Sequence, residues 1–138
     1  MIRFKKLPED IRERLDSVEE YFKQHPQIIF AYLFGGLTRK TPSPFSDVDI
    51  AIYVVDTDKV RYLDIYMELT NLLETDEIDL VLLNKAPISL AGRILLSRKV
   101  IVDKEPFLRH CYESVTLRKF FDFRIKEGDI LKRRYGIG

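Results

Sequence analysis

The sequence predicts an α/β protein, a β-sheet flanked by helices with a long helix at its C-terminal end. Three observations carry this expectation. Helical and strand-like stretches alternate through residues 8–103. The strand-like stretches are short, apolar and rich in β-branched and aromatic residues, which suits a buried pleated surface. From residue 106 to about 126 the apolar residues keep a helical period with no further strand signal. At 138 residues the chain is the size of one domain and long enough to bury a core. The expected organisation is a single domain over 1–138, with its core at about 8–103 and a helical extension at about 105–135.

Residues 8–24 open with Pro8 in the first turn and place Leu7, Ile11, Leu15, Val18 and Phe22 on one helical face, ending at His25-Pro26. Residues 27–34, QIIFAYLF, are continuously apolar, as in a strand covered on both faces. Residues 47–55 alternate: Asp47, Asp49, Ala51 and Tyr53 face one way, Val48, Ile50, Ile52 and Val54 the other. A helix is expected at 58–74, capped by Asp56 or Thr57, with Val60, Leu63, Met67, Thr70 and Leu73 inward. Residues 77–83 form a third strand with Asp79 inside it, 87–96 a short helix, and 99–102 a small strand. In the last helix Phe107, Cys111, Val115, Phe121 and Ile125 are expected as the core stripe. Leu108, Tyr112, Leu117, Phe120 and Phe123 widen it beyond one packed face. Gly128 is expected to interrupt that helix, and the basic end to fray.

Composition narrows the function. A hydrophobic fraction of 46% with 33% charged residues is that of a soluble globular protein. The formal net charge of +1 gives no argument for nucleic acid or a membrane surface. No stretch approaches the roughly 20 apolar residues of a membrane span. Cys111 is alone, so no internal disulfide forms, which fits a reducing cytoplasmic location. His25 and His110 lack metal-ligand spacing and are expected as surface or boundary residues.

The chemistry concentrates in residues 34–55, FGGLTRKTPSPFSDVDIAIYVV. Two apart on a strand, Asp47 and Asp49 point to one face with backbones about 6.5–7 Å apart. Asp79 joins them if its strand is the neighbour, about 4.8 Å away. Two like charges 4 Å apart repel by about 4 kcal/mol at an effective dielectric of 20. A divalent cation removes that cost, and Mg²⁺ takes hard oxygen ligands while keeping positions for water and phosphate. Gly35 and Gly36 allow backbone amides to approach a phosphate, and Arg39, with Lys40 behind it, is placed to pair with one. Asp-x-Asp alone also occurs in turns, strand starts and sugar-nucleotide transferases, and Gly-Gly alone is a turn. A Walker-type phosphate loop is excluded, because no Gly-Lys-Ser/Thr follows.

The joint pattern resembles the signature of the DNA polymerase β-like nucleotidyltransferases, a glycine and a serine, ten residues, then Asp-x-Asp. Gly35 matches the glycine, residues 37–46 the spacer, and Asp47 and Asp49 the carboxylates; Gly36 stands where the family has serine. The chain resembles the minimal nucleotidyltransferases, small members of that superfamily. The resemblance implies a mixed sheet with packed helices, the polymerase β palm-like fold, and transfer of a nucleoside monophosphate to an acceptor hydroxyl, most simply AMP from ATP. It implies Mg²⁺, with two ions, held by Asp47, Asp49 and Asp79, and nucleotide contacts from Gly35, Gly36 and Arg39. Many such proteins are antitoxins of HEPN-type toxins, so it also implies a HEPN partner whose tyrosine is the acceptor. The second reading is a weak or inactive member that neutralises its toxin by binding alone through the apolar C-terminal helix. Direct nucleic-acid binding and a membrane are not expected, and homo- or hetero-oligomers are expected through that helix.

Overall fold

The computed structural model describes residues 8, 10–39 and 47–135. Among these, β1 (Ile28–Phe34), β2 (Val48–Val54), β3 (Ile78–Leu82) and β4 (Lys99–Asp103) form one mixed sheet in the order β3-β2-β1-β4. β1 runs antiparallel to β2 and β4, while β2 and β3 are parallel. A parallel pair needs a crossover, and α2 (Tyr62–Leu73) supplies it. The mixed sheet flanked by helices is the architecture the resemblance implies.

Strand alternation decides which helix meets which face. Ala31, Leu33, Ile50, Ile52 and Val54 point to the side covered by α2 and α1 (Ile11–Gln24), against Val18, Phe22, Ile65 and Leu69. Phe30, Tyr32 and Ala51 point to the opposite side, against Ile94 and Leu95 of α3 (Ile88–Ser97) and Tyr112 of α4 (Pro106–Tyr135). β1 is therefore covered on both faces, as its unbroken apolar run requires. Where α4 crosses α3, Gly92 lets the helices close up: a Cβ there would run into the Phe120 ring.

Three helical expectations are corrected. In α2 the inward residues are Ile65, Leu69 and Leu73; Leu63 and Met67 are 66% and 53% exposed. The α2 helix also starts later, because Asp56 accepts a hydrogen bond from the Asp58 amide and caps a 3₁₀ turn (Thr57–Lys59) instead. Nor does α4 stop at Gly128, which faces open space. One exposed glycine costs a helix only about 1 kcal/mol.

The face of α4 is corrected as well. Its core-facing residues are Glu113, Thr116 and Phe120, with Leu108, Tyr112 and Leu117 partly buried. Phe107, Cys111, Val115, Phe121 and Ile125 are exposed. A charge cluster built on the buried Glu113 supports that orientation. Glu113 Oε2 accepts from Tyr32 Oη at 2.7 Å and pairs with Arg98 Nε at 2.8 Å and Arg109 Nη1 at 2.9 Å. Arg109 Nε in turn donates to Asp103 Oδ2 at 2.7 Å. The cluster ties α4 to β1, β4 and the end of α3, and turning the helix would strand its charges in the interior.

Candidate active site

The site forms where β1 ends and β2 and β3 begin. Register brings two of its carboxylates together: Phe34 lies opposite Asp49 on β2, and Asp49 lies beside Asp79 on β3. Neighbouring strands are about 4.8 Å apart and paired residues share a face, so Asp49 and Asp79 are side by side. Asp47 and Asp79 line a cleft of about 540 Å³ that also takes in Asp76, Glu77, Ile78 and Tyr66. Asp79 is exposed, and Asp47 and Asp49 are half-buried.

The turn after β1 explains Asp49's position. Gly35 opens a 3₁₀ turn (Gly35–Thr38) with φ +71°, a left-handed conformation that glycine adopts without a Cβ penalty. A Cβ at Gly35 would collide with Asp49 Oδ2, so the missing side chain is the space that the carboxylate occupies. Gly36 lies within the same turn and is not among the positive-φ residues.

The turn is pinned by residues that the sequence did not single out as site residues. The Gly35 amide, expected to face a phosphate, donates instead to Ser97 Oγ at 3.2 Å, from the last residue of α3. Thr38 Oγ1 donates to the Gly35 carbonyl at 2.6 Å. Arg39 is exposed; its amide donates to the Gly36 carbonyl at 3.3 Å and its carbonyl accepts from Arg12 Nη2 at 3.4 Å. Lys40 and most of the spacer lie outside the described residues.

On the β3 side, Tyr62 and Tyr66 of α2 stack at 6.3 Å. Tyr62 Oη donates to the Leu80 carbonyl at 2.7 Å, and burial, then the charge of Asp79, raise its pKa. Tyr66 Oη donates to the Asp76 carbonyl at 2.9 Å. Their spacing of four on one helix was a legible signal of a shared face, but nothing local pointed that face at the cleft.

Among the described residues no three Asp, Glu, His or Cys side chains converge as a ready-made metal cluster. The donors nonetheless fit a hard divalent cation: all are carboxylates, two are adjacent in register, and Gly35 leaves Asp49 room. No helix among the described residues is long and apolar enough to cross a membrane.

A mixed sheet with register-paired aspartates beside a glycine turn is the arrangement that a nucleotidyltransferase fold leads one to expect. Residues 16–107 match the family described as polymerase beta, nucleotidyltransferase, and the chain belongs to that family. No curated protein matches the chain. Solved structures share its fold. One is the MntA-HepT toxin-antitoxin, at 19% identity and TM-score 0.67, covering 88% of this chain and 97% of that one. Another is the MNT antitoxin with tri-AMPylated HEPN toxin from Shewanella oneidensis, at 18% identity and TM-score 0.68, covering 88% and 96%. A third is a toxin-antitoxin with AMP-PNP, at 21% identity and TM-score 0.70, covering 87% and 96%.

Proposed function

We propose that the protein transfers AMP from ATP to a tyrosine hydroxyl of a HEPN-type toxin and so acts as its antitoxin. The observation that carries this reading is the register pair Asp49–Asp79 beside the Gly35 turn, with Asp47 two residues before Asp49. Membership of the nucleotidyltransferase family supports the reaction class. The AMPylated HEPN toxin bound to an MNT antitoxin, and the AMP-PNP complex, are the basis for the acceptor and nucleotide.

Asp47 and Asp49 would hold Mg²⁺ against the triphosphate, and Asp79 would complete the set on the acceptor side. Bound there, the metal would neutralise phosphate charge for an in-line displacement. Asp79, exposed on β3, would accept the proton of an incoming hydroxyl. The oxygen then bonds to the α-phosphorus, and the bond to pyrophosphate breaks. Tyr66, stacked on Tyr62, borders the same cleft as Asp47 and Asp79 and would flank an incoming acceptor.

The test is incubation with labelled ATP, Mg²⁺ and a HEPN-type toxin. AMP on a toxin tyrosine, lost in Asp49→Asn, is expected. Tight binding with no transfer would favour the second reading, neutralisation by binding alone. Gly36 in the serine position speaks for that alternative.

A further inference from the structure

The exposed face of α4 has the pattern of a helix-pairing seam. Phe107, Cys111, Ser114, Arg118, Phe121 and Ile125 are spaced 4-3-4-3-4, the repeat of paired helices. Phe107 and Ile125 are 18 residues apart, five turns at 3.6 residues per turn, so they share one angular position about 27 Å apart. Thr116 and Phe120, which pack inward, fall on the opposite side of the helix. The four apolar members sit at the two ends of the seam, with Phe107 83%, Phe121 47% and Ile125 65% exposed and Cys111 also exposed.

We propose that this face pairs with the same face of a second copy, antiparallel, about a two-fold axis near position 116. The argument is self-complementarity. In that register Phe107 meets Ile125 of the second copy, Cys111 meets Phe121, and Ser114 meets Arg118. Every apolar residue of the seam therefore faces another, and the polar pair falls in the middle, where such residues fix register at some cost in affinity. Val115, 46% exposed beside the seam, meets its own counterpart at the axis. The two-fold operation satisfies both copies with one surface. From the exposures, the seam buries about 500 Å² of each chain, against about 800 Å² in a standard stable interface, so the dimer is reversible and concentration-dependent. Phe107, Phe121 and Ile125 are exposed, while Cys111 and Val115 border the groove against Tyr53 and Ala91, away from the carboxylates, which pairing leaves untouched. This inference does not depend on the proposed reaction.

Register makes the test specific. The full chain carrying Phe121→Cys is oxidised at high micromolar concentration, and the linked peptides are identified by mass spectrometry. A disulfide joining Cys111 of one chain to position 121 of the other is expected, and little covalent dimer when Cys111→Ser is added. Sedimentation equilibrium of the wild type should show a monomer–dimer equilibrium, and Phe121→Asp should weaken it roughly a hundredfold, because two anchors are lost per dimer. Unchanged circular dichroism and melting would confirm that the variant is folded. A wild type that stays monomeric, or a link formed equally well without Cys111, overturns the proposal. So does hydrogen exchange at residues 107–125 that is independent of the chain's concentration and slows only when a helical partner protein is added.

Discussion

Replacing Gly35 by alanine tests the geometry of the site without using its activity. Two costs are expected. The residue has φ +71°, where an L side chain is disfavoured by about 1–2 kcal/mol. The new Cβ also meets Asp49 Oδ2, so the carboxylate has to rotate away, at about 0.5–1.5 kcal/mol for a strained side chain. The first cost belongs to the backbone alone; the second exists only while Asp49 is present. Gly35→Ala should therefore destabilise the wild type by about 1.5–3.5 kcal/mol and the Asp49→Ala background by only about 1–2 kcal/mol. The assay is urea unfolding of the four proteins, with the coupling taken as the difference between the two values. A coupling below about 0.3 kcal/mol, the ordinary scatter for independent sites, would refute the claim that Gly35 is the space for Asp49. Equal stability of all four proteins would refute the left-handed turn as well.

Three further outcomes are expected. Gly36→Ser should raise AMP transfer roughly ten- to a hundredfold in single-turnover measurements, the worth of one hydroxyl-to-phosphate hydrogen bond formed in the transition state, because Gly36 is not held at positive φ; an unchanged or slower rate would mean that the turn already compensates. Calorimetry should find that Mg²⁺ strengthens ATP binding and that Asp49→Asn removes most of that gain; equal affinity with and without Mg²⁺ would dismiss the metal assignment. Glu113→Gln should cost about 2–3 kcal/mol at neutral pH, less than a fully buried pair, because Arg98 is 32% exposed. Burial pushes the Glu113 carboxyl up, but Tyr32, Arg109 and Arg98 outweigh it and hold the pKa below its ordinary 4.5. Its stabilisation is thus present above that value and lost as pH falls through the lower folded value, so Glu113→Gln should flatten the acid side of a stability–pH curve.

What the sequence made legible was what depends on local period. Two-residue alternation put Asp49, Ala51 and Tyr53 on one face, and β2 keeps that alternation from Val48 to Val54; Asp47 precedes the strand. Asp79 required only that the strand after α2 lie beside β2, which a strand–helix–strand sequence favours. Ser97 was out of reach, because its role depends on where the end of α3 meets the Gly35 amide, a contact spanning 62 residues. The Gly35 collision with Asp49 was hidden for the same reason: φ at Gly35 and the path of β2 both had to be known.

The failure on α4 has a more general physical cause. A helical period says which residues share a face; it does not say which face meets the sheet. α4 is apolar on two opposite faces, and the sequence favoured the one with Phe107, Phe121 and Ile125, since the other contains Glu113 and Thr116. Buried glutamate looks expensive until its partners are known, and here they come from Tyr32 on β1, Arg98 after α3 and Arg109 one turn earlier. Those long-range charges reverse the preference that hydrophobicity alone would set. They also leave Phe107, Cys111, Phe121 and Ile125 in solvent on the opposite face. The same ion cluster that hid the core face is therefore what frees the seam for a second molecule.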